Sequence, residues 1–214
     1  MTRREGWLLV VDRVPPALLW SWFAAQAASQ FDLCWQTHAT WLVMGNRATN
    51  LLLVTVLLML FLIRHPRRGA RSPVLGRLIA LAGTFLPLWI SALSWRHTAP
   101  GLLTVSLATS WMGMVGMLIA LASLGRCFGL FPEVRGLVTT GLYKWIRHPL
   151  YLSEAVMVLG VLLPVFSWRA AAAYALWLGM QIWRLYREED ALERVFPEYE
   201  AYRQRTWRLL PGVW

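Results

Sequence analysis

The chain has 214 residues, of which 57% are hydrophobic and 15% charged, with a formal net charge of +10 and a mean hydropathy of +0.47. An ordinary soluble domain carries about 25% charged residues, so this chain has too few to cover a water-exposed surface; a bilayer removes that requirement, and the fourteen tryptophans suit its interfaces. The basic excess does not point to nucleic acid, because the arginines fall in short stretches between apolar runs, where they set orientation and meet anionic headgroups.

In chain order, the first apolar run, Pro16–Phe31, is short and interrupted by Gln26 and Gln30, so it either crosses or lies in the interface. Three long runs follow, Trp41–Ile63, Val74–Trp95 and Leu102–Leu124, each sufficient to span about 30 Å of hydrocarbon as a helix. The first contains Asn46 and Arg47, which places that end near an interface or against protein. Gly113 and Gly116 lie in the third run, where small residues let helices approach closely. Two shorter runs, Leu150–Phe166 and Arg169–Tyr186, are joined at Ser167-Trp168 and read as a helical hairpin. The expected fold is an all-α, polytopic membrane bundle with a C-terminal hairpin and a cytoplasm-facing site. It divides functionally into membrane helices over 1–125 and a chemistry-bearing half over 126–214.

Arginine sets the expected orientation. The loop Arg64–Arg71 carries four arginines and is placed in the cytoplasm. Alternation then puts Arg96-His97 outside, the stretch Gly125–Pro149 inside, and the tail with Arg187, Arg194, Arg203, Arg205 and Arg208 inside. If Pro16–Phe31 crosses, Arg3, Arg4 and Arg13 are also inside, giving six crossings. This describes a bacterial inner membrane or its equivalent. Trp7 to Val11 is too short for the apolar core of a secretory signal. Cys34 and Cys127 are not expected to form a disulfide. The scattered histidines and the absence of H-E-x-x-H give no expected metal site.

Polar residues concentrate in the last 90 positions. Arg147-His148-Pro149 stands where a membrane helix should begin, and proline suits the first helical turn. A helix start offers unpaired N–H groups and a positive dipole end, which suit an anion. Arg147 and His148 either add donors to such a site or anchor the helix to headgroups. On the last hairpin helix, Tyr174, Trp177, Gln181, Arg184 and Glu188 share a stripe about 80° wide, which should face protein or a wet cavity. Arg184 and Glu188 are four apart and can pair, either within a site or as an ordinary surface ion pair at a helix end. Glu189 beside Glu188 suggests a cationic or hydroxyl-rich ligand.

Leu137-Val138-Thr139-Thr140-Gly141-x-Tyr143, Arg147-His148-Pro149-x-Tyr151, Glu188-Glu189 with Leu192, Phe196 and Tyr199, and a closing Leu210-Pro211-Gly212 together resemble the isoprenylcysteine carboxyl methyltransferase family and its prokaryotic relatives. Phospholipid N-methyltransferases are similar over the same motifs. The resemblance covers about residues 123–214. It implies an S-adenosylmethionine site between the loop before R-H-P and the E-E helix, with contacts from Leu137, Val138, Tyr143, His148, Pro149, Leu150, Tyr151 and Glu188. Arg135 and Gly136 match by position. Arg184 matches an arginine implicated in the acceptor site, so Arg184 and Glu188 are the expected catalytic pair. The R-H-P start, with Arg147, suits the cofactor's carboxylate. Glu188 with Glu189 suits its ammonium or ribose diol, and Tyr143 and Tyr151 suit its adenine or sulfonium.

The resemblance implies an integral membrane methyltransferase acting on a lipophilic or lipid-linked acceptor, with carboxyl O-methylation of an isoprenylcysteine-like group favoured. Phospholipid N-methylation and small-thiol S-methylation are the alternatives within the class. A non-catalytic scaffold or lipid-binding protein is the alternative outside it, but such a protein has no need of the Glu188-Glu189 pair or of His148.

Overall fold

The computed structural model describes the backbone of residues 3–69, 72–92 and 100–213 and the side chains of 17–69, 72–87 and 101–213. The fold is all-helical, with α1 (Arg3–Gln36), α2 (Trp41–Ile63), α3 (Val74–Ala92), α4 (Pro100–Leu124), α5 (Pro149–Leu162), α6 (Trp168–Val195) and the short α7 (Tyr199–Gln204). The described residues contain no strand, and one isolated parallel bridge joins Ile146 to Trp207. Among the described residues, two helical segments, Trp41–Ile63 and Gly101–Cys127, are long and apolar enough to cross a membrane, and Val74–Pro87 and Pro149–Val165 are shorter apolar helices.

The chain divides into two compact units, Met1–Arg64 and His65–Trp214. In the first, α1 packs along α2. The expected short run at Pro16–Phe31 is corrected to a continuous 34-residue helix, about 50 Å long at 1.5 Å per residue. Its two glutamines cost little in a helix, since that residue has high helix propensity. α2 has the expected bounds and stops where Pro66 disfavours continued helix. Arg71, Trp95 and the loop Arg96-His97 lie outside the described residues, as do the side chains of Arg3, Arg4 and Arg13.

In the second unit, α4 and α5 form the most extensive helix pair. Gly113 backs onto Met157 and Gly160 onto Ser110, and the Ser106 hydroxyl donates to the Gly160 carbonyl at 2.7 Å. On the other face of α5, Val158 and Leu162 pack with Val165, Ala170 and Trp177. α6 begins at Ser167, whose hydroxyl accepts from the Ala170 N–H at 3.2 Å as an N-cap. It runs to Val195, nine residues beyond the expected end at Tyr186, because the charged stretch after Tyr186 still has good helix formers and the first breaker is Phe196-Pro197. This extension keeps Glu188 and Glu189 on the same rigid helix as Trp177 and Arg184. The Trp177 indole N–H donates to the Gly83 carbonyl of α3 at 2.7 Å.

Candidate active site

The site is built where α5 starts, where α6 leaves its apolar stretch, and where the tail returns. Pro149 occupies the first turn of α5, with His148 as N-cap. Before it, Gly141 adopts φ +60°, and a Cβ there would lie 2.2 Å from the Ser123 hydroxyl, so the loop can lie this close to α4 only with glycine at that position. The tail then zips onto the R-H-P segment. Trp207 N–H donates to Trp145 O at 3.1 Å, Arg147 N–H to Trp207 O at 2.8 Å and His148 N–H to Arg208 O at 3.1 Å. The Tyr202 hydroxyl donates to the Tyr143 carbonyl at 2.7 Å.

Glu189 is the hub of this closure. It accepts from Arg147 Nε at 2.8 Å and from Arg208 Nη2 at 2.9 Å, and its Oε1 lies 3.1 Å from His148 Nε2. Arg147 also donates to the carbonyls of Arg203 and Thr206. Burial by itself would raise the Glu189 carboxyl. The hydrogen bonds from His148 and Arg208, the His148 charge and the Arg147 bond outweigh burial and hold it well below the ordinary carboxylate range.

Glu188, one residue earlier, is half-buried and accepts from the Tyr151 hydroxyl at 2.9 Å. It lines a cavity together with Arg135, Gly136, Leu137, Val138, Tyr143, Arg147 and His148. These are eight of the residues expected at a cofactor. Pro149, Leu150, Tyr151 and Glu189 stand behind that lining. Pro149 and Leu150 form the first turn of α5, Tyr151 reaches the cavity through Glu188, and Glu189 through Arg147 and His148. Leu124, Cys127, Glu133, Val134, Leu192, Tyr199 and Tyr202 complete the wall. Of these, Leu124, Cys127, Val134 and Tyr202 carry no motif signal, because they reach the cavity through packing.

Glu133 is held by Arg77 at 3.6 Å and Arg135 at 3.8 Å and accepts from the Ser72 N–H, so it ties the loop before R-H-P to α3. Burial pushes the Tyr202 hydroxyl up to about 12, against Arg147 and Arg205. Burial and the Glu188 charge raise Tyr143. The wall therefore presents neutral tyrosine hydroxyls at physiological pH. The Tyr199 hydroxyl is buried beside the Glu189 carboxylate.

Arg184 corrects one expectation. It does not pair with Glu188; its Nη1 donates to Gln181 Oε1 at 2.7 Å and its Nη2 to the Leu130 carbonyl at 2.9 Å. Its guanidinium carbon lies 5.5 Å from the centre of the Tyr151 ring. The i,i+4 spacing allowed the pair, but Glu188 turns toward Tyr151 and the cavity. Among the described residues, no group of three or more His, Cys, Asp or Glu side chains could hold a metal ion.

The chain aligns at 36% identity over 114 residues with the nickel-cobalt-cadmium resistance protein NccN of Alcaligenes xylosoxydans xylosoxydans, covering 51% of this chain and 53% of that protein. It aligns at 34% identity over 107 residues with the cobalt-zinc-cadmium resistance protein CzcN of Cupriavidus metallidurans, covering 48% and 49% respectively. The chain thus spans about half the length of the curated relatives it matches. Residues 95–199, which carry α4, the R-H-P start, the hairpin and both glutamates, match the phospholipid methyltransferase family model.

Proposed function

We propose that the protein is an integral membrane methyltransferase that takes its methyl group from S-adenosylmethionine and delivers it to a lipophilic acceptor. The observation that carries this reading is the cavity bounded by the R-H-P helix start, Glu188 and the 135–138 loop, within a segment that matches a methyltransferase family model. Its lining suits the cofactor. The first-turn N–H groups of α5 suit a carboxylate. Glu188, with one hydrogen bond and capacity for more, suits an ammonium or a diol. Leu137, Val138 and the tyrosines suit an adenine. When bound, the cofactor supplies a methyl group on a positively charged sulfur.

The chain's own contribution is positional. The Glu189 clamp fixes the R-H-P start, Tyr151 orients Glu188, and the tail covers the cavity against water, so that alignment and desolvation carry most of the catalysis. Residues 126–214 supply this site, and 1–125 supply membrane scaffold and acceptor access. Arg184, one turn deeper than Glu188, belongs to the acceptor side. An isoprenylcysteine-like carboxyl is the acceptor favoured by the sequence resemblance, with a phospholipid amine or a small thiol as alternatives. The relatives' names suggest heavy-metal resistance as a physiological setting for the same reaction.

Glu188→Gln is expected to weaken S-adenosylmethionine binding by about ten- to a hundredfold, the effect of losing a charge-assisted hydrogen bond, without loss of folded protein. Unchanged affinity by calorimetry would misplace the site. The proposed topology is multi-pass, with the Arg64–Arg71 loop, the cavity and the C-terminus in the cytoplasm. Reporter fusions after Val213 and at His97 should give opposite signals, and equal signals would exclude it.

A further inference from the structure

α6 serves two cavities with two faces. Glu188 and Leu192 look into the cavity of the candidate active site. Trp183, Arg187 and Arg194 share a different stripe about 40° wide, at least about 100° away around the helix. This stripe lines a second cavity, faced by Arg68, Ser72 and Val134. Val134 lines the first cavity as well, so the 132–134 segment is a wall between the two.

The second cavity collects the guanidiniums of Arg68, Arg187 and Arg194 against the single carboxylate of Asp190. Their present contacts are weak. Arg187 lies 3.7 Å from Asp190, with both side chains about half exposed, and its guanidinium carbon is 5.8 Å from the centre of the Trp183 ring. Exposed pairs of this kind contribute little. The Arg68 guanidinium carbon is 5.9 Å from the centre of the Phe196 ring. The Arg194 guanidinium has no ion pair among the described residues, and the adjacent Glu193 turns to Arg203 at 3.8 Å instead. Like charges gathered in a cleft raise the local positive potential and draw in an anion. Guanidinium forks match phosphate oxygens in shape as well as charge. The start of α3, at Pro73 and Gly76, closes one side and adds the positive end of a helix dipole. Beside it, Val74, Leu75 and Leu78 are exposed and offer an apolar surface to acyl chains.

We propose that the second cavity binds a phosphate group of net negative charge, carried by the headgroup of an anionic phospholipid whose chains lie along the start of α3. The ligand is held there and not transformed, and the proposal stands independently of which small molecule the first cavity takes. It sits against a segment already pinned from the same side. The Ser72 hydroxyl donates to the Pro132 carbonyl at 2.8 Å, the Ser72 N–H to Glu133 Oε1 at 3.3 Å and the Arg68 N–H to the Val134 carbonyl at 2.6 Å. A bound phosphate thus braces the outer side of the active-site wall.

The test uses the full chain in non-ionic detergent, titrated calorimetrically with phosphatidylglycerol in mixed micelles, with phosphatidylcholine of the same acyl chains, and with inorganic phosphate. Phosphatidylglycerol should bind at least about tenfold more tightly than phosphatidylcholine, whose own cation offsets its phosphate. Arg187→Gln combined with Arg194→Gln, at side chains that reach solvent, should lower the affinity about tenfold or more. Arg203→Gln combined with Arg205→Gln removes the same charge from the tail outside the cavity and should change it less than about twofold. Hydrogen exchange over residues 131–136 should slow when the ligand is added to the wild type. Binding of the lipid alone identifies a headgroup as the source of the phosphate, and inorganic phosphate binding as tightly identifies a soluble one. Failure of both to bind, equal affinity for phosphatidylcholine, an equal loss in the two double variants, or unchanged exchange over 131–136 would overturn the proposal.

Discussion

Glu189→Ala should lower folding stability by about 3–5 kcal/mol, the cost of removing one partner from a buried ion cluster. The change leaves Arg147, His148 and Arg208 without the carboxylate that holds them at 2.8–3.1 Å. Arg147 is itself the strut under the tail through Arg203 and Thr206, so the loss should spread to the zipped segment and α7. Thermal unfolding in detergent should show the drop, and protease should cut the tail after Tyr199 far faster than in the wild type. Stability and cleavage like those of the wild type would show that Glu189 is not the hub. The same cluster fixes a pH dependence. The folded carboxyl is lowered below its ordinary value of 4.5, so its contribution is fully present above that value and is lost as the pH falls toward the lower folded one. Wild-type stability should therefore decline more steeply below about pH 5 than that of Glu189→Gln, which has no group to titrate there.

Gly113→Val is expected to prevent α4 and α5 from packing. A Cβ at Gly113 would lie 2.3 Å from the Met157 backbone nitrogen and 2.6 Å from its Cα, so the strain falls on two helix backbones, neither of which can move without loosening the core behind it. Overpacking typically costs about 1–3 kcal/mol and exceeds this where backbone must shift. The neighbouring glycines set an order. At Gly116 the nearest atom is the Ser153 hydroxyl at 2.6 Å, the end of a side chain that can change rotamer, so Gly116→Ala should be milder. Gly179 has nothing within 4 Å of its added Cβ, and Gly179→Ala should be neutral or stabilising by about 0.5–1 kcal/mol through helix propensity. Melting temperatures that fail to follow this order would contradict the close α4–α5 contact.

Much of the scaffold was legible locally. The bounds of α2 and the starts of α3 and α5 coincide with apolar run lengths, the cap at Ser167 and the first-turn Pro149. The stripe on α6 was legible for the same reason, and Trp177, Gln181 and Arg184 are all buried on it. The lengths of α1 and α6 were less legible, because a polar residue with high helix propensity ends an apolar run without ending a helix. In the site, the loop residues 135–138, Tyr143 and Glu188 were recognisable as a set, whereas Cys127 and Tyr202 come to the cavity wall only through packing.

The sequence by itself determined that the chain is helical and bilayer-compatible, which residues share a helix face, and which segment carries the methyltransferase family's motifs. These are properties of composition, period and short spacing. Only the tertiary structure decided the partners. Glu189 rather than Glu188 holds the R-H-P start, Arg184 turns to Gln181 and Leu130, and the tail closes on residues 145–148. The physical reason is that a helical period places a charge on a face but does not say what faces it. The partners of Glu189 lie about 40 residues upstream and about 20 downstream, and a buried charge is satisfied by whichever donors the folded chain brings within hydrogen-bond reach.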